Sequence, residues 1–163
     1  VGHYWLRNPE RAPEKARAAI EGALQAVSSF ARKVHRGEIR GERGEAFRDL
    51  VLVGIGGSAL GPQFVDQALA DLNDPVRAHF LDNTDPDGFD RVLGRLEARL
   101  DRTLVLVVSK SGGTKETRNG MLEVAARYRS AGLAFEKHAV AITSEGSELD
   151  QLAKESGWLA IFP

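Results

Sequence analysis

The chain alternates between short apolar-rich runs and longer stretches in which apolar residues recur every three or four positions. Five such runs predict β-strands: LVLVGI (50–55), RAHFL (77–81), TLVLVV (103–108), KHAVAI (137–142) and WLAIF (158–162). Strands that alternate with helices predict βαβ units and a parallel sheet. The nearly continuous Val, Leu and Ile runs at 50–55 and 103–108 are typical of central strands that are covered on both faces.

Helical spacing marks the segments between these runs. The longest amphipathic pattern covers residues 13–36, and shorter ones span about 60–72, 89–100, 114–130 and 147–155. The predicted fold is therefore an α/β/α three-layer sandwich around a five-stranded parallel sheet. We expect the flavodoxin-like strand order 2-1-3-4-5, which makes the first and third strands neighbours.

The length of 163 residues fits one α/β domain with a preceding segment. Residues 37–49 are polar and rich in glycine, so we assign residues 1–48 to an N-terminal helical segment with its connection and 49–163 to the domain. The start VGHYWLRN lacks an initiator methionine and the end GWLAIFP is an apolar run. We therefore expect a piece of a longer polypeptide.

Composition narrows the classes of function. The 22 basic and 23 acidic residues give a formal net charge of −1, without blocks of like charge, so neither nucleic acid nor an anionic membrane is an expected partner. Cysteine is absent, which excludes disulfides and thiolate metal sites. No run reaches the ~20 apolar residues of a membrane helix, and no secretory leader is visible. The expectation is a cytoplasmic protein.

Two turns rich in glycine and hydroxyl groups connect a predicted strand to a predicted helix. They are GIGGSALGP (54–62), after the first strand, and SKSGGTKET (109–117), after the third. In the expected strand order both turns border the crevice where open α/β sheets bind ligands. Each turn also leads into a helix N-terminus, where unpaired N–H groups and the helix dipole favour an anion.

The side chains of these turns suit a phosphate monoester. Ser58, Ser109, Ser111 and Thr114 offer hydroxyl donors, and the glycine pairs 56–57 and 112–113 let the backbone approach a ligand closely. Lys110 and Lys115 are the nearby positive charges, so neutral donors would dominate. Several hydrogen bonds to a charged group, each worth about 1.5–3 kcal/mol, suit a metabolite that binds and leaves.

The first turn is similar to two nucleotide-binding motifs, to different degrees. A P-loop requires lysine where this chain has Pro62, so that motif fails. Gly54, Gly56 and Ala59 do satisfy the GxGxxG/A fingerprint, and Asp82 ends the second strand, where a ribose-binding acid would lie. A dinucleotide site therefore stays open as an alternative, although it leaves SKSGGT without a role.

Other polar residues have structural interpretations. Thr114 could be only a helix N-cap, and Ser147 with Asp150 fits a capping pair. The stretch LDNTDPDG, which contains Asp82 and Asp85, predicts a turn with Asx bonding. The four histidines show no ligand spacing, so we interpret them as structural or surface residues and predict no metal site.

The sequence VGIGGSALGP, followed about fifty residues later by VSKSGGTKET, resembles the sugar isomerase (SIS) domain. With GHYWLRNPE near the start and TSEGSELDQLAKESGWLAIFP at the end, it resembles the glucose-6-phosphate isomerase family in particular. The resemblance implies that both turns hold a sugar phosphate. Gly57 and Ser58 would bind from the first turn; from the second, Gly113 would lie within the binding turn, hydroxyls would come from Ser109, Ser111 and Thr114, and backbone N–H groups from Lys110 and Gly112.

The family reaction interconverts glucose 6-phosphate and fructose 6-phosphate through an enediol, without a metal or organic cofactor. The family's catalytic base, ring-opening groups and transition-state arginine lie past residue 163, so the resemblance implies no catalytic residue here and a homodimeric parent. Glu116 is interpreted as a helix-start acid. We expect these 163 residues alone to bind sugar phosphate weakly without turnover. The alternative is a non-catalytic SIS module that binds or senses a phosphosugar.

Overall fold

The apolar runs form the strands of one sheet. The structure, a computed structural model, describes residues 2–163, so Val1 lies outside the described residues. Within this part of the chain, five strands form a fully parallel sheet in the order β2-β1-β3-β4-β5 and five α-helices flank it, which confirms the predicted fold class and strand order. The strands are β1 Asp49–Val53, β2 Arg77–Leu81, β3 Thr103–Val108, β4 Ala139–Ile142 and β5 Ala160–Phe162; the helices are α1 Glu14–His35, α2 Leu60–Leu69, α3 Pro86–Leu96, α4 Lys115–Ser130 and α5 Glu148–Ser156.

The register of the central strands brings their carboxyl ends together. Asp49 pairs with Thr103 at one end of the β1–β3 ladder and Val53 pairs with Val107 at the other. β1 stops at Val53, before the predicted end of the run; the N–H of Gly54 still donates to the carbonyl of Leu81 at 3.2 Å, and the chain then turns at Gly56–Ser58. The turns that follow β1 and β3 therefore leave the sheet side by side.

One face of the sheet is covered by α3, α4 and α5. From β1 to β2 the chain crosses the sheet in one direction, and from β2 onward it crosses in the reverse direction. Right-handed crossovers therefore place α2 on the other face of the sheet from these three helices. The main core lies on this face, and most of its buried members come from the three helices and the central strands; they include Val51, Val53, Val105, Val107, Phe89, Leu93, Met121, Val124, Tyr128, Leu149 and Ala153.

The opposite face is less completely covered. The C-terminal part of α1 packs there through Phe30 and Val34, and the ring of Phe30 lies 5.4 Å from that of Phe162. An apolar groove of about 260 Å³ remains between α1 and the sheet. The helix predicted near residues 60–72 is present as α2, but it buries none of its side chains.

The predicted caps are mostly confirmed. Asp85 accepts from the N–H of Gly88 at 3.1 Å at the start of α3, in an Asx-type turn. Ser147 caps α5 by accepting from the N–H of Asp150 at 3.0 Å. Thr114 lies at the N-cap position of α4, yet its side chain makes no capping bond. None of the helices in residues 2–163 has both the length and the apolar character needed to cross a bilayer.

Candidate functional site

The two glycine-rich turns meet at the carboxyl edge of the sheet. We call Gly54–Ala59 the first turn and Ser109–Thr114 the second turn. At their base, Gly54 lies so close to β3 that a methyl group on it would be 3.3 Å from the carbonyl oxygen of Val108. The eight predicted site residues therefore belong to two turns on adjacent strands, with α2 and α4 beginning directly after them.

The first turn leaves several donors unused. Gly56 adopts φ +57°, a conformation that favours glycine, and residues 56–58 form a 3₁₀ turn closed by the N–H of Ser58 on the carbonyl of Ile55 at 3.2 Å. Among residues 2–163, no partner engages the N–H groups of Gly56 and Gly57 or the hydroxyl of Ser58. Both glycines are exposed and Ser58 is half-buried, so these donors are available to a ligand.

The second turn uses two of its serines to hold its own shape. Ser109 is only 3% exposed, and its hydroxyl oxygen accepts from the N–H of Gly112 at 3.2 Å. The same hydroxyl donates weakly to the Thr114 hydroxyl at 3.4 Å. The Ser111 hydroxyl accepts from the N–H of Gly113 at 3.2 Å. Direct binding of a ligand by Ser109 and by the N–H of Gly112 stays a prediction, since each already bonds to the other.

The turn after β4 forms hydrogen bonds to the second turn and supports it. The carbonyl of Lys110 accepts from the N–H of Ser144 at 3.1 Å and from the hydroxyl of Thr143 at 3.3 Å. Gly112 has φ +76°, and a methyl group on it would lie 2.3 Å from the backbone nitrogen of Leu149 in α5. The second turn is therefore fixed from two sides, by its own serines and by the start of α5.

The electrostatics of the edge combine helix ends with a few exposed charges. Lys110, Lys115 and Arg118 are exposed and form no ion pair within the described residues. The Thr114 side chain does not cap α4, so the first N–H groups of that helix keep their positive potential for an anion. The carboxylate of Glu148 opposes this attraction, since its oxygens would lie 3.9–4.0 Å from a methyl group on Gly113.

Comparison with known proteins gives the family. A family model for phosphoglucose isomerase matches residues 1–157. The chain belongs to the phosphoglucose isomerase family. This confirms the resemblance that the two turns and their flanking sequences indicated.

Members of the phosphoglucose isomerase family align over the whole chain. A glucose-6-phosphate isomerase of Cyanothece sp. is 62% identical over 164 residues, and one of Desulfitobacterium hafniense is 56% identical; each alignment covers 100% of this chain and 31% of the relative. The crystal structure of a glucose-6-phosphate isomerase from Chlamydia trachomatis superposes with a TM-score of 0.81 at 32% identity, covering 98% of this chain and 30% of that one. The chain thus spans about a third of the length of these relatives.

In this family member the turn after β4 also contributes to the site, which was not predicted. Only Ser147 was interpreted there, as part of a capping pair, yet Thr143, Ser144 and Glu148 bond to the second turn through a side chain or the backbone. The expected strand order carried the signal, because β4 lies beside β3 and its carboxyl turn must lie beside the second turn. Lys154 holds the pKa of Asp150 below its usual range through a hydrogen bond of 2.7 Å, so the two residues form an ion pair in α5.

Other candidate residues lie apart from the two turns or have structural partners. Asp82, the acid of the dinucleotide alternative, accepts from Gln63 at 2.7 Å. His138 is fully buried and bonds to the Thr103 carbonyl, whereas His79 pairs with Asp49 at 2.9 Å. Within residues 2–163 no three His, Asp or Glu side chains group as a metal site requires. A concavity of about 560 Å³ lies at the opposite edge of the sheet and is lined mainly by residues that begin β1 and β2 and by the loop after α2.

Proposed function

We propose that the protein is a glucose-6-phosphate isomerase, an intramolecular aldose–ketose isomerase of glycolysis and gluconeogenesis, and that this chain supplies the phosphate-binding part of its site. The family and the printed names of its relatives support the reaction. The observation that carries the local role is the meeting of two donor-rich turns at the adjacent carboxyl ends of β1 and β3. A sugar phosphate that lies across both turns would use each of them.

The phosphate group would bind mainly to neutral donors. We assign direct contacts to the N–H of Gly57 and the hydroxyls of Ser58, Ser111 and Thr114, with the backbone N–H of Lys110 completing the set. Ser109, Gly112 and Gly113 would hold the second turn in its binding shape, and Ser109 and Gly112 would also bind as the resemblance implies. Each hydrogen bond to the anion is worth about 1.5–3 kcal/mol, less the cost of removing water from a group of charge near −2.

The chemical step would use residues outside this chain. Ring opening and the movement of a proton between C2 and C1 need positioned acid–base groups, and we assign none among residues 1–163. Glu116 lies in the first turn of α4, where a carboxylate is stabilised by the helix dipole. We further propose a cytoplasmic, homodimeric enzyme in which residues 1–48 form an N-terminal segment and residues 49–163 form the SIS domain.

Titration calorimetry of the 163-residue chain tests the phosphate site. We expect glucose 6-phosphate to bind in the micromolar to millimolar range and unphosphorylated glucose not to bind. The double variant Ser58→Ala, Thr114→Ala should bind at least tenfold more weakly, while Ser130→Ala, at the exposed far end of α4, should bind as the parent chain does. Binding of NAD in preference to glucose 6-phosphate would favour the dinucleotide alternative.

A coupled assay tests the reaction. Glucose-6-phosphate dehydrogenase with NADP should report no fructose 6-phosphate conversion by residues 1–163 alone, and substantial turnover would contradict the assignment of all chemistry outside this chain. When these residues replace the aligned part of the Cyanothece relative, we expect an active isomerase. A folded replacement protein that binds glucose 6-phosphate but does not convert it would favour the non-catalytic module.

A further inference from the structure

The apolar side of helix α2 faces away from the domain. At about 100° per residue, the large apolar side chains of α2 share one half of the helix surface. Phe64, Val65 and Leu69 are 73%, 53% and 76% exposed, and Leu60 at the start of the helix is 62% exposed. The half that faces the sheet instead carries the polar side chains Gln63 and Asp66.

This orientation reverses the usual arrangement of a surface helix. A helix at the boundary of a domain normally buries its apolar stripe and leaves its polar face in water. A continuous apolar patch that stays exposed marks an interaction surface. The patch extends beyond the helix, because Leu72, which follows α2, is 97% exposed. The layer opposite contrasts with it, since α3, α4 and α5 each bury apolar side chains against the sheet.

The partner that fits this patch is a polypeptide segment that stays permanently associated with it. No charged side chain lies on the outward half of α2, since Asp66 is on the inward half, and strongly apolar surfaces are typical of permanent contacts rather than transient ones. Relatives of the family are about three times as long as this chain, which covers 31% of the Cyanothece protein. In such relatives that additional polypeptide belongs to the same molecule as the aligned span.

We propose that the outward face of α2 is an interdomain contact, covered in a family-length protein by polypeptide that the relatives carry outside the aligned span. The inference depends on family membership and not on the proposed reaction. It places the contact next to the first turn, since Leu60 is two residues from Ser58. Any segment that covers α2 therefore lies beside the candidate phosphate site.

Cysteine labelling can test this directly, because the chain contains no cysteine. Phe64→Cys and Leu69→Cys would be placed singly in the 163-residue chain and in a chimera in which this chain replaces the aligned third of the Cyanothece relative, with any cysteines of the relative changed to serine. We expect a thiol reagent to label both positions at least tenfold more slowly in the chimera. Arg95→Cys, on exposed α3 of the other layer, controls for access of the reagent.

Equal labelling rates of the α2 cysteines in the two proteins, within twofold, would overturn the proposal. A second result would also overturn it: the 163-residue chain sediments as a dimer that protects both cysteines, while the chimera leaves them exposed. The patch would then be covered by a second copy of the chain. If the chimera does not fold, the remaining part of the relative can be mixed with this chain. Binding at least tenfold weaker for Phe64→Ser, Leu69→Ser than for Arg95→Ser supports the contact, and equal binding overturns it.

Discussion

Replacing Gly112 by alanine should deform the second turn and destabilise the domain. Gly112 has φ +76°, and a side chain in that left-handed region costs roughly 1–2 kcal/mol. The added methyl group would also lie 2.3 Å from the backbone nitrogen of Leu149, whereas ordinary contact begins near 3.4 Å. Backbone cannot rotate away as a long side chain can, so the second turn and the start of α5 must separate by about 1 Å.

That separation strains the bonds between the second turn and α5. The N–H of Glu148 donates to the carbonyl of Ser111 at 3.3 Å, already a long bond, and its loss costs about 1 kcal/mol. Together with the backbone strain, we expect Gly112→Ala to lower the free energy of unfolding by about 2–4 kcal/mol. The affinity for glucose 6-phosphate should fall in the same variant, because Ser111 moves with the turn.

Urea unfolding followed by circular dichroism measures the first effect and titration calorimetry the second. Gly113→Ala is the matched control: this neighbouring glycine has no positive φ, and its added methyl group would meet nothing closer than the Ser111 hydroxyl at 3.8 Å. The control should change the free energy of unfolding by less than about 1 kcal/mol. If the two alanine variants unfold at the same urea concentration, the close packing of Gly112 against α5 does not determine the stability of this turn.

Three further predictions concern stability. Tyr128→Phe removes a buried hydrogen bond of 2.7 Å to the carbonyl of Thr103 and should cost about 1 kcal/mol in urea unfolding, since His138 still bonds to that carbonyl. Burial lowers the pKa of His138 below its ordinary value near 6.5, so the unfolded state takes up a proton before the folded state does as the pH falls. The free energy of unfolding should therefore be complete above pH 6.5 and decrease below it. Urea unfolding curves at about pH 7.5, 6.5 and 5.5 measure this. A slope that persists in His138→Gln would contradict this. Asp85→Ala should lower the free energy of unfolding by about 1 kcal/mol through loss of the α3 cap, with Asp87→Ala, which caps nothing, losing less.

The strands and their order could be predicted because buried parallel strands leave a direct mark on the sequence. The runs at 50–55 and 103–108 are nearly continuous in Val, Leu and Ile, and they became the central strands β1 and β3, which pair from Asp49 with Thr103 to Val53 with Val107. Exact ends were harder to predict, because they depend on single bonds made across the fold. The predicted run from 137 begins with a 3₁₀ turn and the buried ring of His138, so β4 starts only at Ala139.

The candidate site was predicted in position but not in its internal bonding. Composition and spacing identify donors, and the strand order brings them to one edge. They cannot tell a donor that faces solvent from one used within the turn. Ser58 and Ser109 look equivalent in the sequence, yet the first hydroxyl has no partner in the described chain and the second accepts from Gly112. The outward orientation of α2 could not be predicted either. An apolar stripe predicts that a helix packs against something, but it does not tell the sheet of the same domain from another segment.

The first turn and the second turn are therefore stabilised by different contacts. The second turn is fixed by Ser109, Ser111 and the contacts of α5, all within this chain. The first turn is followed by α2, which buries none of its own side chains here. Because a ligand loses affinity where it must order a weakly packed segment, we expect α2, and with it the first turn, to limit phosphate binding by residues 1–163. A segment packed against the outward face of α2 would remove that cost by fixing the helix that Ser58 precedes. The chimera should therefore bind inorganic phosphate more tightly than the isolated chain, since both carry the same two turns.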